Sequence, residues 1–242
     1  FTSIFSGLVG LFDDYFKISA QKGISARVKF FFHGLSAFIP SLLLVLLFGY
    51  KDINLIFFSL SSSVMYCLWA TLVIIATSHA VNIIDGLDGL AATQTIICGC
   101  GFLWWLKVYN PFFFAIIFPH LLILMVAMAA FLIFNSYPAQ CMMGDVGSLF
   151  IGSYLAIIFL LAKSELLLFV FGALFVIETM SVIMQCFFYK RYKKRLFLCA
   201  PFHHDLEKRG WKEKDVVRLF SCISIMIIVL FMIIVFYTKK SF

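Results

Sequence analysis

Charge is what this sequence has least of. Lys, Arg, Asp and Glu make up 13% of its 242 residues, against about a quarter in ordinary soluble domains. A chain so poor in charge is excluded from the soluble globular class. Period-two alternation of apolar and polar residues is also missing, which excludes a β-barrel. No internal repeat and no low-complexity linker divides the chain. Of the seven cysteines (67, 98, 100, 141, 186, 199 and 222), only Cys98 and Cys100 are close, and on a helix they point apart. All seven read as small core residues, with no disulfide and no zinc site. The chain starts at Phe1 rather than Met, and the run Phe1 to Phe12 is too short to span a bilayer alone. It has no charged leading region and no cleavage site, so it is not a signal peptide.

What is present is hydrophobic: 63% of residues, with a mean hydropathy of +1.05. A crossing helix needs roughly 20 apolar residues for about 30 Å of hydrocarbon, and in lipid the backbone must satisfy its own hydrogen bonds. The fold class is therefore all-α, a polytopic transmembrane helix bundle. Predicted spans are 1–12 (the end of a helix), 28–50, 54–78, 90–107, 112–134, 148–162, 166–189 and 216–238. Loops 13–27, 79–89, 135–147 and 190–215 then share one face. That face holds 14 Lys and Arg residues, Lys22 among them, and the other face holds 5. The positive-inside rule makes the richer face cytoplasmic. Nine of the twelve acids lie there too, Asp52 and Glu165 lie opposite, and only Glu178 falls inside a span. The net charge of +7 sits beside spans, which fits anionic lipid and phosphate substrates better than nucleic acid.

Four polar stretches stand out. Asn82-Ile83-Ile84-Asp85-Gly86-Leu87-Asp88-Gly89 is a small acidic island whose two carboxylates, three residues apart, can share one face of a helical turn. Its glycines leave room for a ligand to approach the backbone. The same aspartates could instead cap the span that follows. Asp13-Asp14 is read as ending the first helix; adjacent carboxylates raise one pKa or recruit a cation, or are simply two solvated acids. Gly144-Asp145-Val146-Gly147-Ser148 precedes another span, with Asp145 or Ser148 as its N-cap. His203-His204-Asp205 lies in the most basic loop, where paired histidines serve phosphate or metal, or merely decorate a surface. Glu178 invites a proton relay or a bond to a neighbouring helix. Together the four loops can hold Mg²⁺ and a diphosphate, since Mg²⁺ takes few carboxylates plus substrate oxygens.

The order of Phe12-Asp13-Asp14-Tyr15, Asn82 to Ala91, Asn135-Ser136-Tyr137-Pro138-Ala139-Gln140, Met143 to Ser148, and Ala200-Pro201-Phe202-His203-His204 with Gly210-Trp211 resembles one family along nearly the whole chain. This is the polyprenyl-phosphate N-acetylhexosamine-1-phosphate transferase superfamily (glycosyltransferase family 4), in its phospho-N-acetylmuramoyl-pentapeptide branch. The resemblance implies a ten-helix bundle, often a homodimer, in the bacterial inner membrane with a cytoplasmic active site. It implies transfer of the phospho-sugar pentapeptide from UDP to undecaprenyl phosphate, giving lipid I and UMP for peptidoglycan synthesis. By resemblance, Mg²⁺ is held by Asp145 and Asn82, while Asp13 and Asp14 orient or deprotonate the lipid phosphate. Lys17, Asn82, Asp85, Asp88, Asn135 and His204 contact substrate, and His203 joins the catalytic set. The sequence departs from the family pattern at His79 (Asn), Ile84 (Thr), Met142 (Phe) and Asp205 (the third loop histidine). The expectation is one integral-membrane domain over 1–242, with N-terminal family helices missing before Phe1. Two other readings are a GlcNAc-1-phosphate transferase of the same superfamily and, from another class, a proton-coupled transporter using Glu178.

Overall fold

In a computed structural model of the protein, residues 1–20, 23, 25–54 and 59–240 are described. Lys22, and 55–58 of the predicted span 54–78, lie outside the described residues. Among the described residues the fold is all-α as the sequence predicts, apart from one short hairpin, and internal contacts divide it into two compact units.

The first unit comprises Phe1–Asn82 and Met143–Leu166. It holds α1 (Thr2–Ala20), α2 (Ala26–Phe48), strands β1 (Asp52–Asn54) and β2 (Ser59–Ser61), α3 (Ser63–Ile84) as far as Asn82, and α6 (Gly144–Leu161). The Ser25 hydroxyl caps α2 by accepting from Val28 N, and Gly49 in the left-handed conformation ends it. The strands pair antiparallel, Asp52 opposite Ser61, where a helix was predicted to begin. Helix α3 starts only at Ser63, after Ser62, whose hydroxyl accepts from Met65 N, and so reaches Asn82 in its last turn. Ala37, Leu44, Tyr66, Ala70, Ile74, Ala156 and Leu160 form the buried core between α2, α3 and α6.

Helix α1 corrects a second boundary. Asp13 and Asp14 do not end it, because it runs one and a half turns further, to Ala20. Lys17 pairs with Asp13 at i,i+4 and with Asp14 at i,i+3, which supports the extra turn. Helix α1 packs along α6, with Gly10 against its first turn. A Cβ on Gly10 would run into the backbone carbonyl of Asp145.

The second unit comprises Ile83–Met142 and Leu167–Phe242. It holds α4 (Leu90–Tyr109), α5 (Pro111–Asn135), the single turn α7 (Leu168–Phe171), α8 (Ala173–Tyr192), the short α9 (Phe202–Lys208) and α10 (Glu213–Lys240). Asn110 ends α4 and its side chain caps α5, whose first residue is Pro111. The predicted span 166–189 is broken at Gly172, between α7 and α8. Ser224 of α10 donates to Gln94 Oε1 of α4 at 2.5 Å, both buried, which joins the two helices inside the apolar packing and leaves the buried Gln94 Nε2 without a partner among the described residues.

Among the described residues, α2, α3, α5, α6, α8 and α10 are long and apolar enough to cross a membrane. Their outer faces carry large exposed apolar side chains such as Phe112, Ile123, Ile133 and Leu47, the surface a lipid solvent requires.

Gly10 and Gly34 test this packing in opposite directions. Gly10→Ala is expected to destabilise by about 1–3 kcal/mol through overpacking against α6. Nothing lies within 4 Å of a Cβ on Gly34, so Gly34→Ala in mid-helix is expected to be neutral or to stabilise by about 0.5–1 kcal/mol. Thermal unfolding of both variants in the same detergent checks the pair.

Candidate active site

In the first unit, α1, α2, α3 and α6 bring acidic and basic side chains to one point. One carboxylate oxygen from each of Asp13, Asp14 and Asp145 lies within 4.8 Å of the others. Two lysines sit among them. Lys17 Nζ is 2.9 Å from Asp13, 3.3 Å from Asp14 and 2.7 Å from Asp145. Lys29 Nζ, from α2, is 3.1 Å from Asp13 and 2.5 Å from Asp145. Burial disfavours the Lys17 charge, but hydrogen bonds to Asp145 and Asp13 outweigh it and hold the ammonium above the usual lysine range.

Asp145 sits inside the first turn of α6 and does not cap it. The cap comes from another helix, where Asp14 Oδ2 accepts from Val146 N at 3.3 Å. The free N–H end of α6 thus points its positive dipole at the acids. Gly144 makes the approach possible: its φ is +66°, and a Cβ there would lie 2.9 Å from Asp14 Oδ2. From the end of α3, the Asn82 amide nitrogen donates to Asp145 Oδ1 (2.7 Å) and to Ser148 Oγ (2.9 Å).

Behind this cluster lies a histidine pair. His33 is buried, and its ring meets His79 edge-on at 5.0 Å, while Phe30 stacks on His79 at 6.3 Å. His79, where the family pattern has Asn, therefore lies within an aromatic layer.

The second unit holds the other predicted residues. Asp88 does not cap α4, whose N-cap is Gly89 with no side-chain bond. Asp88 Oδ2 instead accepts from Ala139 N (2.8 Å), and Asp88 N donates to Glu213 (2.5 Å). Asn135 Oδ1 accepts from Gly89 N (3.0 Å), and its amide donates to Cys141 O (2.8 Å). These bonds tie the 85–89 turn to the segment after α5. Asp85 is half-buried in that turn. Gly86 faces histidines: a Cβ there would run into His203 Nε2 and lie 3.3 Å from His204 Nε2. His203 is fully buried, whereas His204 is half-exposed with Nδ1 2.6 Å from Glu207.

The structure thus joins Asp13, Asp14, Lys17, Asn82 and Asp145 in one unit, and Asp85, Asp88, Asn135, His203 and His204 in the other. Sequence reasoning missed Lys29 at the first cluster and Glu213 and Gln185 at the second. Lys29 was counted only as a loop charge. Its spacing of twelve from Lys17 carries no periodic signal, since the two stand on different helices. Gln185 accepts from Leu196 N and Phe197 N and donates to Phe197 O, fastening the basic loop to α8.

Comparison with known proteins adds a lineage. A family described as glycosyl transferase family 4 matches residues 1–163. The chain is similar to the phospho-N-acetylmuramoyl-pentapeptide-transferase of Dictyoglomus turgidum, 39% identical over 233 residues, covering 94% of this chain and 73% of the relative. It is 40% identical to the protein of that name from Wolinella succinogenes over 241 residues, covering 91% and 67% of the two chains. With the one from Vesicomyosocius okutanii it shares 36% over 250 residues, covering 95% and 69%.

Asp205, at the third histidine position, has a visible job. It is fully buried and accepts from Leu198 N (2.7 Å) and from Arg209 Nε (2.6 Å). Burial raises its pKa, but the Arg209 and backbone hydrogen bonds hold the carboxyl below its ordinary value. With a depressed folded pKa, the stabilisation is complete above the ordinary carboxylate pKa of about 3.9 and is lost as pH falls through the folded value. Amide exchange at Leu198 is therefore expected to speed up only at strongly acidic pH. Asp205→Asn is expected to exchange fast at neutral pH, with no acid-dependent step between the two values.

Proposed function

Because the chain belongs to glycosyl transferase family 4, we propose that it transfers phospho-N-acetylmuramoyl-pentapeptide from UDP to undecaprenyl phosphate. This is the first membrane step of peptidoglycan synthesis. A phosphate oxygen of the lipid attacks the sugar-bearing phosphorus of the nucleotide. The bond from that phosphorus to the bridging oxygen breaks, and UMP leaves with the electron pair. The products are lipid I and UMP. The observation that carries this reading is the meeting of Asp13, Asp14 and Asp145 around Lys17 and Lys29.

The donor set suits a hard divalent cation. The three acids supply only oxygen ligands, as Mg²⁺ prefers. Two ammonium groups already stand among the carboxylates, so the site is one that calls for positive charge. Asp145 would hold Mg²⁺ with Asp13 or Asp14 beside it. Asn82, which turns its amide nitrogen to Asp145, would act on the ion through that carboxylate, its own oxygen becoming a ligand only with the amide turned over. When bound, Mg²⁺ would neutralise charge on the diphosphate and on departing UMP.

The protein's own groups then divide the work. Lys17 and Lys29 draw in phosphate oxygens, since phosphoryl transfer needs mainly positioning and charge neutralisation. Asp14 is engaged with the first turn of α6, so it holds the site in shape. Asp13, facing both lysines, orients the lipid phosphate and takes its proton where one is present. Asp85, His203 and His204 meet the nucleotide, and Asp88 and Asn135 hold the turn that carries Asp85. The 14-to-5 bias of basic residues supports a cytoplasmic site in a bacterial inner-membrane protein. Function as one integral-membrane domain over 1–242 and as a homodimer belongs to the same proposal.

Asp145→Asn is expected to lower lipid I formation at least about 100-fold while the protein stays folded and inserted; near-normal turnover with Mg²⁺ would refute the metal assignment. Lys29→Met, at the residue the sequence did not single out, is expected to lose about 10–100-fold, read in the same assay. Offering UDP-N-acetylmuramoyl-pentapeptide and UDP-GlcNAc in turn decides the donor, and transfer from UDP-GlcNAc alone would favour the other branch of the superfamily.

A further inference from the structure

Glu178 is the one acid the sequence places inside a span, and the structure gives it a task outside the helix that carries it. It is fully buried. Its two oxygens accept from the backbone N–H groups that open α9, Oε2 from Phe202 N at 2.8 Å and Oε1 from His203 N at 3.1 Å. No residue within α9 caps it, because Pro201 stands at its N-cap. Glu178 Oε2 is also 3.2 Å from the Nδ1 edge of the His203 ring.

The imidazole thereby stands between two neighbours. On one side is a carboxylate that grips the residue's own backbone. On the other, Nε2 abuts Gly86 in the 85–89 turn, and among the described residues neither buried ring nitrogen has a hydrogen bond, Nδ1 lying within reach of Glu178 but out of line with it. An unpartnered buried ring nitrogen is costly unless a ligand uses it. Gly86 lacks the Cβ that would displace it. Seven residues along the same helix, Gln185 holds Leu196 and Phe197, so two side chains two turns apart on α8 clamp the segment leading to His203.

We propose that Glu178 is the positioning residue for His203: it holds Nδ1 as the protonated nitrogen and presents Nε2, as the acceptor, beside Gly86. This inference rests on the transferase reading given above. Which ring nitrogen carries the proton is set by the partner of the other, and a carboxylate at Nδ1 leaves Nε2 as the lone pair offered to substrate.

The test uses the full chain in detergent with UDP-N-acetylmuramoyl-pentapeptide and a short polyprenyl phosphate, alongside ¹⁵N-histidine spectra in which His203→Ala identifies the ring signal. Glu178→Gln keeps the size and one acceptor. It is expected to lower kcat about tenfold with the KM for nucleotide within about twofold, and to move the His203 ring nitrogens away from a single Nδ1-protonated form. On the His203→Ala background the same change is expected to cost less than about twofold more. Glu178→Asp is expected to recover part of the loss. Full further loss on the His203→Ala background, or an unchanged His203 spectrum in Glu178→Gln, would overturn the proposal and leave Glu178 as a structural cap. The spectrum decides this even without turnover. Absence of transfer by the wild-type chain with every UDP-sugar would instead count against the transferase reading.

Discussion

Three carboxylates held within 4.8 Å of one another at the end of an apolar bundle cannot persist without positive charge between them. At that separation each pair repels by on the order of 3 kcal/mol at an effective dielectric of about 20. Lys17 and Lys29 meet that demand, and the first unit is arranged so that they can. Helix α1 must lie close enough to α6 for Asp14 to cap it, which Gly10 and Gly144 permit. Helix α2 must bring Lys29 to Asp145, and α3 must extend as far as Asn82. Counted as formal charges, three carboxylates face two ammonium groups, an excess of acid that underlies the proposed place for a divalent cation.

The second unit answers a different demand with the same residue types. Its loops contain backbone N–H groups that no helix or sheet satisfies. Side-chain oxygens supply the acceptors. Glu178 serves Phe202 and His203, Asp205 serves Leu198, Asp88 serves Ala139, Glu213 serves Asp88, Asn135 serves Gly89 and Gln185 serves Leu196 and Phe197. Acids that look catalytic by composition are here largely occupied in giving loops one conformation. Asp88 and Asn135 illustrate this: Asp88 ties the 85–89 turn to Ala139 and Glu213, and Asn135 bridges Gly89 of that turn and Cys141.

The departures from the family pattern become intelligible on the same footing. Asp205 replaces a ring that accepts at one nitrogen with a carboxylate that accepts from a backbone amide and from Arg209 together. His79 packs against Phe30 face to face and against His33 edge-on. Ile84 is fully buried, so a methyl-bearing side chain belongs there. Met142 stays largely exposed, and nothing in the structure explains its replacement of the frequent Phe.

Much of this protein could be read from residues alone. Low charge and long apolar runs dictate a helical membrane bundle, because only helices satisfy their backbone in lipid. The acidic loops and the order of their motifs point to phosphate chemistry and to a family. Boundaries set by local polarity were less legible: the hairpin before Ser63, the turn of α1 beyond Asp14 and the break at Gly172 all depend on neighbours in space. Partnership was not legible at all. Lys17 and Asp145 are 128 positions apart, and Asp88 and Glu213 are 125 apart. Helical and strand periodicity carries information over a few residues, whereas an ion pair forms wherever packing brings two charges within about 4 Å. Hydropathy therefore decided what the chain is made of, and only the packing of α1, α2, α3 and α6 decided which lysine answers which aspartate.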